Sequence, residues 1–345
     1  MDIAICNTWL RTADRVLIKM AEFNAVSFEE LFQGTLAINW GELIPESGMM
    51  HVVGKSIKSV LHSVPDCQSI VKKAVITSMS ESYGIEQFSE SGPVYKIEVA
   101  ILKDTVTLTI DTTGPGLHKR GYRVLSGIAP IKETLAASMV LLSRWRDDFE
   151  LIDPFCGSGT ILIEAAMIAQ NIAPGVNRSF ICETWPSMNE DDFNSVREGA
   201  KKSQKDKDLK IIGYDIDYNV IKFAMENSKR AGVDKYIEFQ KRDFFDFSTS
   251  RKHGFIISNP PYGERLGEEE MLDVLYRHMG KVKTKLESWD FNILTSLENF
   301  EKVFGVKSTK NRKLYNGKIL CHYYQYFHND KIKNFGDTLI NELMD

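Results

Sequence analysis

The sequence predicts an α/β protein. Its larger, C-terminal part should form a doubly wound, mostly parallel sheet ending in an antiparallel hairpin, with a smaller α+β module ahead of it. Three observations carry this expectation. From Ile131 onward, helical patterns alternate with short apolar runs of strand length. Near the C-terminus, Asn316-Gly317 sits between "RKLY" and "KILCHYYQYF", a strong two-residue turn signal that closes a hairpin. Ahead of residue 113, "VYKIEVAILKD" and "TVTLTIDT" alternate with period 2, and Lys103-Asp104 between them marks a turn.

Taken in order, "DIAICNTWLRTADRVLIKMAEF" spaces Trp9, Leu10, Val16, Leu17 and Met20 as a strand end followed by an amphipathic helix. "SFEELFQGTLAINW" offers Ser27 as N-cap with Glu30 three residues later, a capping box, and Gly34 is expected to close that helix early. A strand over Met49–Val53 leads into two helical segments broken near Pro65. "DTTGPG" then reads as a linker or loop. The alternating half begins with a helix over Ile131–Trp145 and the strand "FELIDPF". The helix "TILIEAAMIAQ" and a long irregular insert follow, with a solvated mixed-charge run, "REGAKKSQKDKDLK", before the strand "KIIGYDI". The helix "NVIKFAMENSKRAG" and the strands "YIEFQ" and "GFIIS" come next. A helix over Glu268–Leu286, the strand "FNILTSL" and a short helix near Glu298–Phe304 precede the hairpin.

A chain of 345 residues exceeds one typical core, so two or three domains are expected. At 43% hydrophobic and 26% charged it has the composition of a globular protein. The formal charge of -4 gives no overall attraction to a polyanion, so nucleic acid would have to be held by a local basic patch. Five scattered cysteines, Cys6, Cys67, Cys156, Cys182 and Cys321, form no CxxC pair, which argues against a disulfide framework and a zinc site. No metal is expected. With no signal peptide and no long apolar span, the expected location is cytoplasmic.

The chemistry gathers at strand ends. "LIDPFCGSGT" places Gly157 and Gly159 between a strand and a helix, where the backbone can approach a ligand and the helix presents free amides. Asp153 ahead of the turn would repel phosphate and favour a cation such as an amino acid's ammonium group. Asp215, at the end of the next strand, suits a pair of ribose hydroxyls. Asp217 reads as an N-cap. Asp243, beside Phe244, could take an adenine amino group. "FIISNPPYGERLG" ends a core strand in a rigid corner, because two prolines fix two φ angles and remove two donors. There Asn259 offers an amide oxygen, Pro260 a fixed carbonyl and Tyr262 a flat face, a set matched to a planar –NH2 group on an aromatic ring. A bland alternative is a rigid turn and nothing more.

These residues resemble a known family. "DPFCGSGT", "GYDID", "RDFFDF" and "NPPYGERLG", in that order, resemble the S-adenosylmethionine-dependent N-methyltransferases of the class I, Rossmann-like fold. "LHKRGYR" and "PIKETLAAS" narrow the resemblance to bacterial ribosomal RNA guanine-N2 methyltransferases that carry a THUMP domain and act on large-subunit (23S) RNA; "WLRTADRVL" and "DCQSIVKKAV" match that family's N-terminal half. The resemblance implies a ferredoxin-like remnant over 1–42, a THUMP-like RNA-binding domain over 43–113, a linker over 114–130, the methyltransferase domain over 131–330 and a tail over 331–345. Family members open with further ferredoxin-like structure, so an N-terminally shortened chain is expected. By resemblance, Asp153, Pro154, Phe155, Cys156, Gly157, Gly159 and Thr160 hold the amino-acid end of S-adenosylmethionine, Asp215 its ribose, and Asp243 its adenine with Phe244 beside the ring; Ile216 is a further cofactor contact. Asn259, Pro260, Pro261 and Tyr262 form the catalytic corner, with Asn259 shared between cofactor and substrate. Lys119, Arg120 and Arg123 are expected on RNA phosphates, with Lys55 and Lys72 as further RNA contacts. Methylation of adenine N6 on nucleic acid, methylation of a glutamine amide, and a non-catalytic RNA-binding assembly factor remain the alternatives.

Overall fold

The computed structural model describes residues 1–123, 131–262 and 269–328. The tail, the part of the expected linker after Arg123, and "GERLG" after the proline corner lie outside the described residues. The chain divides into two compact units, one of residues 1–117 with 178–199 and one of residues 118–177 with 200–345. Residues 178–199, most of the irregular insert expected after "TILIEAAMIAQ", group with the first unit.

The first unit runs α1 (Asp2–Trp9), β1 (Leu17–Asn24), α2 (Phe28–Leu36), β2 (Met49–Ile57), α3 (Val64–Tyr83), β3 (Val94–Leu102) and β4 (Thr105–Asp111). Its sheet has the order β1-β4-β3-β2, with β2 parallel to β3 and the other pairs antiparallel. Alternation on β3 and β4 buries Ile97, Val99, Ile101, Val106, Leu108 and Ile110, and α3 covers them with Val71, Val75 and Met79. From the 178–199 segment, Trp185 stacks on Tyr95 at 4.6 Å and donates its indole N–H to the Val94 carbonyl.

Three expectations for this unit are corrected. The opening segment is a helix then a strand, the reverse of the reading. A register shift between Lys19 and Ala21 leaves Met20 without a cross-strand partner, and this bulge gives β1 apolar spacing that imitates a helix. Around Pro65 there is one helix, not two; proline stands in its first turn, where its missing N–H costs nothing, and residues 54–57 of the expected earlier segment extend β2. Gly34 does not end α2. It lies within the helix, where the Phe23 ring occupies the place a Cβ would take, so only glycine fits there. The Ser27 capping box is formed, and the turn at Lys103-Asp104 takes positive φ at both residues, as a type I′ hairpin requires.

In order, α4 (Glu133–Leu142), β5 (Glu150–Asp153), α5 (Thr160–Ala169), α6 (Glu190–Lys202), β6 (Ile211–Asp215), α7 (Tyr218–Arg230) and β7 (Ile237–Lys241) come next. They are followed by β8 (Gly254–Ser258), α8 (Glu269–Lys285), β9 (Trp289–Thr295), α9 (Phe300–Phe304), β10 (Lys310–Asn316) and β11 (Ile319–Tyr326). The boundary between the units falls inside α6. The second sheet has seven strands in the order β10-β11-β9-β8-β5-β6-β7, parallel from β9 through β7, with β11 and β10 added antiparallel. β8 and β9 are buried at every position, as strands covered on both faces must be. β5 lies between β6 and β8, so the glycine turn after β5 and the proline corner after β8 leave the sheet side by side. This is the reversal point of strand order at which doubly wound sheets bind ligands.

Candidate active site

The loop after β5 is held by its own backbone. The Cys156 N–H donates to the Tyr214 carbonyl (2.8 Å) and the Gly159 N–H to the Cys156 carbonyl (2.9 Å). Gly157 and Gly159 have φ of 53° and 80°, a region costly for other residues. They differ in surroundings. A Cβ on Gly157 would meet nothing within 4 Å, whereas one on Gly159 would stand 3.0 Å from Phe239 and 3.1 Å from Ala224. Gly159 therefore permits the turn to pack on the sheet, and Gly157 leaves an open face for a ligand. α5 has Gly159 as N-cap without a side-chain cap, so its first amides are not taken by a capping side chain.

Asp153 ends β5 almost fully buried, accepting from the Ser258 hydroxyl (2.6 Å) and the Phe155 N–H (3.1 Å). Burial pushes its carboxyl up to about 7 against those hydrogen bonds. The Ser258 bond joins the glycine turn to the strand that carries the corner. Asp215 is half-buried; its two oxygens accept from Gly157 N–H (3.1 Å) and Asp217 N–H (2.9 Å), and burial raises its pKa. Asp217 caps α7 through the Asn219 N–H. Ile216 is 64% exposed beside Asp215, an apolar surface with no core to fill. Asp243 accepts from the Phe245 N–H (2.9 Å), and Phe244 is buried with its ring 5.2 Å from that of Phe155. Pro154 and Cys156 are buried in the same loop, and burial pushes the Cys156 thiol well up, so it is no nucleophile at neutral pH.

At the corner, Pro260 is buried, and the Asn259 Oδ1 is buried with no hydrogen-bond partner among the described residues. An orphaned amide oxygen costs about 1–3 kcal/mol, so its retention beside the glycine turn is a mark of use. The corner is braced from two sides. The Tyr276 hydroxyl donates to the Pro261 carbonyl (2.7 Å), and Asn316 Nδ2 donates to the Tyr262 hydroxyl (3.0 Å). Tyr262 also walls a cavity of about 680 Å³ with Leu272, Asp273, Tyr276, Leu297 and Glu298. That volume lies within the range of roughly 300–1,000 Å³ usual for small-ligand sites.

The basic residues require correction. Arg120 is 4% exposed, 3.4 Å from the fully buried Glu164, which also accepts from the Tyr122 hydroxyl (3.2 Å); a guanidinium so enclosed cannot reach a surface phosphate. Arg123 turns inward too, donating to the Thr160 hydroxyl and the Ile131 carbonyl (both 2.9 Å), with Glu133 at 3.5 Å. It braces the start of α5. Lys119 is exposed. Lys55 and Lys72 are at the surface but paired with Glu98 (2.6 Å) and Glu90 (3.0 Å). Sequence reading had no role for Ser258, Tyr276, Arg123 on Thr160, or Asn316 beyond its turn. Only Ser258 carried a signal, a hydroxyl where an apolar strand meets the corner. Among the described residues no helix is long and apolar enough to cross a membrane, and no cluster of His, Cys, Asp or Glu could hold a metal ion.

Comparison with known proteins agrees with this geometry. Residues 120–325 match the RMKL-like methyltransferase domain and residues 25–111 the THUMP domain. The chain is 50% identical to "Putative RNA methyltransferase YpsC" of Bacillus subtilis over 94% of its length and 86% of that protein. It is 35% identical to "Ribosomal RNA large subunit methyltransferase K/L" of Vibrio parahaemolyticus over 93% of its length, and it spans about half (47%) of that longer relative. Among solved structures, a "predicted N6-adenine-specific DNA methylase" from Listeria monocytogenes is 50% identical with a TM-score of 0.89, covering 94% of this chain and 85% of the other. "SMU.472, a putative methyltransferase complexed with SAH" is 43% identical with a TM-score of 0.88, covering 96% and 88%. With the methyltransferase match covering more than half of the sequence and the THUMP match preceding it along the chain, the family is shown: the chain belongs to the RMKL-like methyltransferases.

Proposed function

We propose that the protein transfers a methyl group from S-adenosylmethionine to the exocyclic N2 of a guanine in RNA, with large-subunit ribosomal RNA as substrate. One observation carries this reading above the rest: the buried Asn259 Oδ1 without a partner, on a corner whose next aromatic walls a cavity. A conjugated –NH2 group supplies the missing donor.

The residues present fit the cofactor. The open side of Gly157 and the uncapped start of α5 suit its amino-acid end, Asp215 its ribose hydroxyls, and Asp243 and Ile216 the edge and face of its adenine. When bound, S-adenosylmethionine supplies an electrophilic methyl carbon on a sulfonium. The protein's part is orientation. Asn259 Oδ1 and the Pro260 carbonyl accept the two N–H bonds of the target amine, which raises electron density on its nitrogen and aims the lone pair, while Tyr262 fixes the ring plane. No side chain need act as a base before the nitrogen attacks, since the amine loses its proton after it becomes cationic. A paired target would first have to leave its stack.

Guanine N2 is preferred over adenine N6 because the cavity presents Glu298, with Asp273 beside it holding the Arg277 guanidinium at 2.7 Å. The guanine edge carries an N1–H donor beside its amine, which a carboxylate accepts; adenine presents a lone pair there, which a carboxylate repels. The description of the Listeria structure favours the adenine reading. Incubating the protein with labelled S-adenosylmethionine and ribosomal RNA from cells lacking it, then digesting the RNA to nucleosides, separates the two. N2-methylguanosine is expected. N6-methyladenosine would establish the second reading, and cofactor binding without transfer to any RNA would leave an assembly factor.

A further inference from the structure

The terminal hairpin carries a charge the proposed chemistry does not use. From Lys302 to His328 there is no acidic residue, while Lys302, Lys307, Lys310, Arg312, Lys313 and Lys318 stand in that stretch of a chain whose formal charge is -4. None of these six makes an ion pair among the described residues. Four of them lie on β10 or its turn, and β10 is the edge strand of the seven-stranded sheet among the described residues. Lysines on an edge strand also blunt unwanted strand pairing. That purpose does not account for Tyr315, which is 64% exposed on the same strand opposite the exposed Leu320. A strand guarded only against aggregation would not display an aromatic–aliphatic pair.

We propose that the outer edge of β10 is a track for the single-stranded RNA leading into the catalytic corner, with Lys310, Arg312, Lys313 and Lys318 on its phosphates and Tyr315 stacked on a base. The inference rests on the RNA reading given above. Long basic side chains from either face of a strand reach its edge, and Arg312 is already oriented by Gln325 Oε1 at 3.1 Å. The track is continuous with the site, because Asn316, the last residue of β10, holds the Tyr262 hydroxyl. At about 3.3 Å per residue, Lys313 stands roughly 10 Å and Lys310 roughly 20 Å along the strand from that contact. Alternating cations and an exposed ring at this spacing are how proteins hold single strands without reading their sequence.

The test uses the full chain, a single-stranded RNA and a duplex of the same composition. Replacing both Lys310 and Lys313 by Gln removes two phosphate contacts. It should reduce the slope of log affinity against log salt for the single strand by about 1.4. Tyr315→Ala should weaken single-strand binding about tenfold and leave duplex binding unchanged, with Tyr315→Phe retaining affinity. Both variants should raise the KM for RNA at unchanged kcat, with S-adenosylmethionine affinity and circular dichroism as in the parent chain. A parent chain that binds and methylates RNA, with variants identical to it or losing single strand and duplex alike, overturns the track alone. A parent chain that neither binds nor methylates RNA overturns the track together with the function it rests on.

Discussion

The two halves of the site are built by opposite means. In the glycine turn the polar groups already have partners: Asp153 is held by Ser258 and Phe155, Asp215 by Gly157 and Asp217, and the backbone of Cys156 by Tyr214. In the corner, the Asn259 oxygen has no partner among the described residues, while Tyr276 and Asn316 brace the residues on its far side. A half with its hydrogen bonds made keeps its shape whether or not ligand is present. A half with one acceptor held open selects for whatever brings the donor. On this reading the turn sets affinity for the methyl donor, and the corner sets rate and target.

That division can be broken first at Asn259. Asn259→Ala should lower kcat by about 10²–10³-fold, the usual cost of one preorganised polar partner at a reacting group, while cofactor affinity by calorimetry changes less than about twofold. Comparable losses in both would show that the corner also holds the cofactor and that the halves are not separate. Asp215→Ala should do the reverse. Removing a charged hydrogen-bond acceptor is worth about 1.5–3 kcal/mol, so affinity should fall about 10- to 150-fold with kcat at saturation preserved. Unchanged affinity would take the ribose from Asp215.

How far this was legible beforehand differs between the halves for a physical reason. The turn is a local object: strand, glycines and helix are contiguous, and Asp153, Asp215 and the proline corner announce themselves at apolar strand ends. The order β9-β8-β5-β6-β7 follows from that alternation, and the hairpin from Asn316-Gly317, whose two-residue loop is Gly317-Lys318 in the structure. The braces were not legible. Tyr276 and Asn316 lie 15 and 54 residues from their partners, and no periodicity encodes a contact made across a sheet. "HKRGYR" misled for a related reason, since its charges suggested a surface whereas Arg120 and Arg123 are neutralised inside by Glu164 and Glu133. The bulge at Met20 erased the period-2 signal of β1 in the same way, by inserting one residue.

A smaller effect follows from Asp153. Its carboxyl, raised to about 7 by burial, is largely protonated below that pH in the free protein. A cationic ligand favours the ionised form, so cofactor affinity should rise with pH through about 7 and level off above it, changing about tenfold between pH 6 and pH 8. Binding should release a proton below pH 7, measurable by calorimetry in buffers of different ionisation enthalpy. For stability the sign runs the other way: a raised carboxyl favours the folded state below its unfolded value near 4, and that contribution is lost as pH rises towards 7. Asp153→Asn should flatten both profiles. A pH-dependence that survives the substitution would move the effect to another group, with Asp215, also raised, the first to replace.

The finest test separates bracing from contact. Tyr276 is buried with its ring against Phe300, 5.1 Å between centroids, and only its hydroxyl serves the corner, through the Pro261 carbonyl. Tyr276→Phe keeps the ring and its packing and removes that one bond, worth about 0.5–1.5 kcal/mol net. If the corner's rigidity sets the rate, kcat should fall about two- to tenfold while the KM for RNA and the affinity for the cofactor stay within error. The Thr295 hydroxyl, 3.3 Å from the Tyr276 oxygen, gives the control. Thr295→Val removes the other neighbour of the same oxygen without touching the proline carbonyl, so it should leave kcat unchanged. Equal losses in the two variants would mean that packing beneath the corner, not the direction in which Pro261 is held, governs transfer. The open acceptor on Asn259 would then be positioned by the core of the sheet and not by its own loop.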